Sequence, residues 1–421
     1  MSCRAAALGA SKRGRSGIHS VRPFDGRRVL LGVTGGIASY KSAWLARLLT
    51  QAGAQVDVVL TRSAREFIGS STFEALTGRP VYSVLIGDGH ALDHLKLARA
   101  AEVMVIAPAT ADFLARAAHG HADELLSACL LATDAPVMIA PAMNDRMWAN
   151  PQVQANAASL RKQGRVVLDP GIGPLASPDE GAGQGRMQEP ETILAHLGRL
   201  LEPRGKLYGR RIVVTAGPTR EPLDPVRYLS NHSTGKMGVA LAAAAWRRGA
   251  EVAVIHGPMA VALPAIGLCA IPVETTSEMA DAVRAELGLA DVLVMAAAPA
   301  DFRPAAVSGA KIKKRLGAPA PIELTENLDI LSSTRDGRKP GMLAVGFALE
   351  TDDLLVNAAR KLEKKGLDLI VANSAREAGA GFGSDTNRVT ILSRDGAPEA
   401  LPLLPKTEVA DLILDRIEAL L

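Results

Sequence analysis

Cysteine is nearly missing from this chain. Three occur among 421 residues, Cys3, Cys129 and Cys269, and no two form a C-x-x-C pair. That spacing suggests neither a zinc site nor a disulfide framework and fits a reducing cytoplasm. Long charge-free apolar runs are also missing, so no segment reads as a bilayer span. The charge excess is small, 48 basic against 44 acidic residues. Much of it falls in the N-terminal tail, so no nucleic-acid surface is read from it. Aromatic residues make up only 3% of the chain, whereas Ala, Val, Leu and Gly are plentiful. That mixture suits parallel strands covered by helices, and the length allows two or three domains with their own cores.

The opening stretch "MSCRAAALGASKRGRSGIHSVRPFDGRR" is rich in Arg and Ser and has no acid before Asp25. It lacks the apolar core of a secretory signal. It is compatible with an organelle transit peptide, but the reading adopted is a disordered basic tail over residues 1–26.

Beyond the tail the chain repeats one grammar. "RRVLLGVTGGIASYKSAWLARLLTQAGAQVDVVLT" predicts a strand over 29–33, a Gly turn, a helix over 38–51 and a strand over 56–60, a βαβ unit. "AEVMVIAPATADFLARAA" and "APVMIAPAMN" continue it. A Pro- and Gly-bearing basic linker follows at about 201–209, and then the grammar restarts with "RIVVTAGPT", "GKMGVALAAAAWRRGAEVAVIHGP", "ADVLVMAAAPADF" and "LDLIVAN". The fold class expected is α/β, with two doubly wound Rossmann-like domains over 27–200 and 201–421. In such sheets ligands bind at the carboxyl ends of strands, which points to the "TGG", "PAT", "PAMN", "AGPT" and "AAAPADF" turns.

Generic nucleotide motifs are absent. "GVTGGIASYK" is not G-x-G-x-x-G, and "HSTGKMG" lacks the upstream Gly and following Ser/Thr of a P-loop. Both turns nevertheless place backbone N–H groups at a helix start, where phosphate binds readily. Taken alone, each glycine serves a tight turn as readily as a ligand.

Several strings together are more specific. "GVTGGIASYK", "HLKLARAAEVMVIAPATADFLAR", "PAMNDRMW" and "GRMQEP" resemble flavin-dependent phosphopantothenoylcysteine decarboxylases. "TAGPTREPLDPVRYLSNHSTGKMG", "AAAPADFRP", "KIKK", "GFALET" and "KGLDLIVAN" resemble phosphopantothenate–cysteine ligases. Their order resembles the bifunctional bacterial family that makes 4′-phosphopantetheine for coenzyme A. The resemblance implies that the ligase half activates 4′-phosphopantothenate with CTP as an acyl-cytidylate, and that the amine of L-cysteine displaces CMP. The decarboxylase half is then implied to use FMN to oxidise the new thiol, release CO2 and return the electrons.

For the decarboxylase, the resemblance implies an FMN cradle of Gly35, Gly36, Ile37, Ala38 and Ser39, completed by Thr61, Ser63 and Thr110. Thiol oxidation requires proton removal, a task suited to histidine. His94, opening "HLKLARAAE", is the expected base; His90 is expected to be a solvated loop residue. Asn144 is expected to hold the substrate carboxylate, its alternative being a helix cap. Met143 is expected to line the pocket, with Met147 and Trp148. Cys129, in "SACLLAT", is expected in the core. Related enzymes often carry a cysteine in the flap before "GRM", taken to protonate the enethiol. Here Ser177 stands in that position, and a hydroxyl is far less acidic than a thiol. Asp179, Glu180 and water are the other candidate donors, and Arg186 is expected to grip the substrate phosphate or close the flap.

For the ligase, joining two anions demands cations and a metal. The resemblance implies that Lys311 in "KIKK" contacts the CTP phosphates, with Lys361 and Lys365 as later nucleotide contacts. Asp301 is implied to meet the nucleotide or Mg²⁺ (or Mn²⁺), and Phe347 to pack on cytosine. Leu328, Asp329, Ile330 and Leu331 are implied to read the base through their backbone. Asn231 is implied to handle the acyl-cytidylate, its alternative again being a cap, while Ala296 and Ala297 allow close ligand approach. Two other readings stand beside this one. One is an active ligase with an impaired decarboxylase, motivated by Ser177. The other is a regulatory FMN-binding protein, against which His94 and "PAMN" both argue. The resemblance further implies a homo-oligomer, with trimers of the flavoprotein domain and dimers of the ligase domain.

Overall fold

The computed structural model describes residues 23–421, apart from 88, 178, 180, 314–320, 351–352, 375–380, 382 and 395. Most of the basic tail, Glu180 and the last lysine of "KIKK" therefore lie outside the described residues. The chain is already placed at Pro23, before the expected boundary at residue 27. Phe24 is buried with Leu45 and Leu49, and the Gly26 N–H donates to Gly53 O at 3.0 Å. The basic composition around it concealed one aromatic ring with a core to fill.

The first domain runs β1 (Arg28–Val33), α1 (Ser39–Gln51), β2 (Gln55–Leu60), α2 (Ser70–Thr77), β3 (Val81–Tyr82), α3 (Asp93–Ala100), β4 (Val103–Ala109), α4 (Ala111–His119), α5 (Leu125–Ala132), β5 (Val137–Pro141), α6 (Asp145–Ala149), α7 (Pro151–Lys162) and β6 (Val166–Val167). The six strands pair in the order β3-β2-β1-β4-β5-β6, all parallel. A parallel sheet is covered on both faces, so its strands are apolar throughout. In β1, Val29, Leu31 and Val33 enter one core cluster while Leu30 enters the other. An antiparallel hairpin, β7 (Gly171–Pro174) and β8 (Ala182–Arg186), follows, and α8 (Pro190–Leu201) closes the domain.

The second domain restarts with β9 (Arg211–Ala216), the hairpin β10 (Arg220–Pro222) and β11 (Tyr228–Ser230), α9 (Lys236–Arg247), β12 (Glu251–His256), β13 (Cys269–Pro272), α10 (Thr276–Leu287) and β14 (Val292–Met295). A second hairpin, β15 (Phe302–Pro304) with β16 (Leu324–Glu326), precedes α11 (Ile330–Ser333), β17 (Leu343–Glu350), α12 (Leu354–Lys364) and β18 (Leu369–Ser374). The chain ends with β19 (Thr386–Asn387), β20 (Thr390–Ser393), β21 (Glu399–Ala400), β22 (Leu404–Pro405) and α13 (Lys406–Leu420). The main sheet has the order β13-β12-β9-β14-β17-β18-β20-β21. Its first six strands are parallel and repeat the strand order of the first domain; β20 and β21 extend the edge antiparallel.

The two domains meet along α8 and α9. Arg199 stacks on Trp246, 4.6 Å from the ring centroid, and Arg247 pairs with Glu202 at 2.9 Å. The expected linker is partly core, since Leu207 is fully buried in the second domain.

Backbones cross most tightly beside the second switch point. A Cβ on Gly257 would stand 1.7 Å from the Pro218 carbonyl oxygen. Gly257→Ala is therefore expected to cost about 2–3 kcal/mol. Calorimetry should show a lowered transition for the second domain and an unmoved one for the first.

Candidate active sites

Both cavities of interest lie where the strand order reverses, at the carboxyl ends of the central strands, as the topology requires. The first measures about 560 Å³, within the range of cofactor pockets. Residues 35–38 reach it from the end of β1, Thr110 from β4, Met143 and Asn144 from β5, and Arg186 from β8. Its only charged lining residues, among those described, are Lys41 and Arg186, both basic. A basic cavity at the start of α1 suits a phosphate-bearing ligand.

Local bonding explains the shape of this cradle. The Thr34 hydroxyl donates to Pro108 O at 2.8 Å and accepts from the Thr110 N–H at 3.1 Å, which ties the first turn to the second. Gly35 is required by contact, because a Cβ there would meet Ser63 at 2.5 Å. Three expected cradle residues do not line the cavity. The Ser39 hydroxyl is fully buried and donates to Gly36 O and Thr34 O. The Thr61 and Ser63 hydroxyls pair with each other at 3.2 Å. All three hydroxyls bond within the turns.

Asn144 both lines the cavity and caps α6, its Oδ1 accepting from the Arg146 N–H at 2.9 Å. The flap lies directly on it. The Met143 N–H donates to Gly185 O, and a Cβ on Gly185 would stand 2.1 Å from Met143 O. Arg186 reaches Pro174 O at 3.4 Å and Glu189 at 3.6 Å. Lys41, which sequence reasoning passed over inside "ASYK", is buried and donates to Met187 O and Glu189, so it ties the flap base to α1. Ser177 is half-buried and accepts from the Asp179 N–H at 3.4 Å; its neighbours Leu175 and Ala176 line the cavity and it does not.

His94 stands apart from this cavity. Its Nδ1 is buried without a partner, and the residue lines a separate open depression with Leu85, Ile86, Ala91, Ala128 and Leu131. Ile86 and Leu131 there are exposed apolar side chains. His90 is half-exposed yet paired with Asp93 at 2.7 Å. The His90 contact leads in holding the Asp93 carboxyl below its ordinary range, with Lys96 adding to it.

The second cavity, about 470 Å³, brings together Asn231, Ala296, Ala297, Asp301 and Phe347 as expected. Asn231 Nδ2 donates to Pro299 O at 2.9 Å, and the Ala297 N–H donates to the buried Thr215 hydroxyl at 3.1 Å. Gly235, at φ 81°, turns the chain into α9, a backbone angle that favours glycine. Sequence reasoning missed Asn373, Asn387 and Lys406, which also line this cavity. Asn373 was findable, since it ends an apolar strand. Nothing local marks Lys406 or Asn387, whose Oδ1 is buried without a partner. Burial, then the nearby Lys236, lowers the Lys406 pKa.

The expected nucleotide lysines do not line this cavity. Lys311 is exposed, Lys361 pairs with Glu350 at 2.7 Å, and Lys365 pairs with Asp329 at 3.0 Å. Ile330 and Leu331 are buried in the sheet core, while Leu328 is exposed. Asp301 is exposed, and no cluster of three metal-ligating side chains occurs among the described residues. Among those residues no helix is long and apolar enough to cross a membrane.

Fold and cavities together define a two-domain α/β enzyme, with a basic cofactor pocket in its first half and a second ligand cavity in the other. A Flavoprotein family model matches residues 19–202, and a model of the DNA/pantothenate metabolism flavoprotein C-terminal domain matches 207–421. The coenzyme A biosynthesis bifunctional protein CoaBC of Mycobacterium tuberculosis is 46% identical over 404 residues, covering 93% of this chain and 96% of that one. The Vibrio vulnificus protein of that name is 42% identical, covering 95% and 100%, and the Bacillus subtilis one 43%, covering 94% and 98%. The chain belongs to this bifunctional CoaBC family of coenzyme A biosynthesis. It is a bifunctional enzyme, a phosphopantothenoylcysteine decarboxylase in its flavoprotein half and a phosphopantothenate–cysteine ligase in its C-terminal half.

Cys129 takes no part in either cavity. It is fully buried, and burial pushes its thiol up to about 12. At pH 8 it is therefore protonated and unreactive. Iodoacetamide should modify the exposed Cys269 and leave Cys129 untouched in the native protein, as peptide-resolved mass spectrometry will read.

Proposed function

We propose that the first cavity holds FMN and decarboxylates phosphopantothenoylcysteine, and that the second, with the lysines around it, uses CTP and Mg²⁺ to make that compound. The observation that carries the decarboxylase reading is the convergence of 35–38, Thr110, Met143, Asn144 and Arg186 on one cavity whose charged walls are basic. Bound FMN supplies a two-electron oxidant for the thiol and returns the electrons afterwards. The chain's own groups do the rest. The start of α1, with Ile37 and Ala38, and Thr110 would hold the phosphate and ribityl chain. Asn144 orients the substrate carboxylate, Met143 walls the pocket, and Arg186 grips the substrate phosphate from the flap. His94 takes the thiol proton. Its orphaned Nδ1 and the apolar surface around it support a placement at a contact between copies, where His94 of one copy serves a neighbour's cavity in a trimer. Ser177, with Asp179 and water, relays the proton for the final reduction.

In the ligase half, Asn231 bridges carbonyl and phosphate in the acyl-cytidylate, and Ala296 and Ala297 let it approach. Phe347 packs on the cytosine. Asp301 would supply a carboxylate to Mg²⁺, which would neutralise phosphate charge. Lys311, Lys361 and Lys365 neutralise the nucleotide, the last two exchanging Glu350 and Asp329 for phosphate, and the backbone of Leu328, Asp329, Ile330 and Leu331 reads the base. Ligase domains pair as dimers. The sparse cysteines support a cytoplasmic setting.

One incubation tests this reading. The protein, given 4′-phosphopantothenate, L-cysteine, CTP and Mg²⁺, should yield 4′-phosphopantetheine and CMP by mass spectrometry. His94→Asn should stop at phosphopantothenoylcysteine, with decarboxylation down roughly a hundredfold or more. Unconsumed CTP would overturn the ligase assignment. A wild-type protein that stops at phosphopantothenoylcysteine would instead point to Ser177.

Mixed assemblies test the contact between copies. Co-refolded His94→Asn and Asn144→Ala variants should recover part of the decarboxylation that neither shows alone. Silence in the mixture would place His94 and Asn144 on one copy.

A further inference from the structure

We propose that Asp224 is a positioning residue of the ligase reaction, one that fastens the lysine-bearing loop to the hairpin that delivers Asn231. The proposal rests on the assignment of Lys311 and Asn231 made above. Asp224 lies in the turn between β10 and β11, and its side chain is fully buried. Its two oxygens have separate work. Oδ1 accepts from the Val226 and Arg227 N–H groups at 2.9 and 2.8 Å, which shapes the turn. Oδ2 accepts from the Arg227 guanidinium and from the Ile312 N–H at 3.1 Å. Arg227 in turn donates to Ile312 O at 2.8 Å. Both backbone groups of Ile312 are thus held, while the side chains on either side of it, Lys311 and Lys313, stay exposed. The Ser308 N–H adds a third tie, to Leu223 O at 3.0 Å.

The consequence is mechanical. The same hairpin ends at Ser230, one residue before Asn231, and the Ser230 hydroxyl donates to Thr219 O at 2.7 Å. One buried carboxylate therefore sets the distance between a residue in the second cavity and a loop whose lysine must reach the same nucleotide. The loop has no regular structure of its own over 305–313, so little else fixes it. An exposed lysine on an unfastened loop is a poor reagent, because its freedom must be lost in the transition state. The Arg227 guanidinium holds the Asp224 carboxyl far below its ordinary range, so the clamp stays charged at neutral pH.

Asp224→Asn separates the two jobs. The amide oxygen can still serve the turn as Oδ1 does, but its NH2 then faces two donors, Arg227 and the Ile312 N–H, and cannot accept from them. The experiment uses the full chain. Ligase turnover should fall roughly tenfold or more, chiefly in kcat. Decarboxylation of supplied phosphopantothenoylcysteine should be unchanged, which reports an intact protein. Hydrogen exchange should accelerate across 305–313 and not in the sheet strands of that domain. In a Lys311→Gln background the same substitution should add little, since the positioned group is already gone. Equal loss in both backgrounds, or full ligase turnover despite faster exchange, would overturn the proposal. If Lys311→Gln alone leaves ligation intact, the assignment of Lys311 fails first, and this inference falls with it.

Discussion

Each half of this enzyme rests on a threonine hydroxyl that spans the gap where its sheet reverses. Thr34, just after β1, bonds both Pro108 O and the Thr110 N–H beyond it. Thr215, near the end of β9, accepts from the Ala297 N–H after β14. Both threonines are buried. At a switch point the two crossover helices leave on opposite faces, and the strand ends splay. Without a bridge the two turns would be independent loops, each free to drift. With it, the turn that starts α1 and the turn that starts α4 become one rigid lip around the first cavity. A hydroxyl suits this role because one group at the end of the first strand can both donate to and accept from the second, as Thr34 does with Pro108 O and the Thr110 N–H.

Both cavities then use one device for anions. A glycine turn opens a long helix, α1 or α9, and a lysine stands in its first turn, Lys41 or Lys236. The helix start supplies partial positive charge and unpaired N–H groups, and the lysine supplies a full charge. The two lysines are employed differently. Lys41 is buried and spends its charge on Glu189, which fastens the flap. Lys236 reaches the exposed Asp385 at 2.7 Å, a bond that water already weakens and that a phosphate can displace at little cost. The first lysine is a strut and the second is available to a ligand.

What could be read from the sequence follows from the range of the forces involved. The strands were legible because burial on both faces makes them continuously apolar, and their turns were legible as glycine and small-residue runs. Asn231, Ala296, Ala297, Asp301 and Phe347 line one cavity although they come from different elements: Ala296 and Ala297 follow β14, Asp301 precedes β15, Asn231 follows β11 and Phe347 lies within β17. Ser39, Thr61 and Ser63 bond within the turns and do not line the first cavity, an arrangement that residue type alone does not reveal, because a hydroxyl in a turn serves its own backbone as readily as a ligand. Phe24 was lost in a basic stretch. Lys406 and Asn387 lie far along the chain from Lys236, and no local pattern foretells that two helix starts will face one cavity. His94 carries a different lesson. Its string marked it, yet its fold places it outside the cavity it is expected to serve.

The substitution of serine in the flap can be weighed on the same physical terms. A proton donor must be both acidic enough and placed. Ser177 is the weaker acid, but the base of the flap that carries it is held at several points: Gly185 lies against Met143 O, Arg186 meets Glu189, and Lys41 grips Met187 O and Glu189. Ser177 accepts from the Asp179 N–H, and a hydroxyl can both accept and donate. Such a residue works as a relay between solvent and substrate, a role that asks for position and not for a low pKa. On the proposed reading the demand for acidity would pass to water and to Asp179. A thiol combines donor and position in one atom; a serine flap divides them, and fixed geometry at its base is what that division requires.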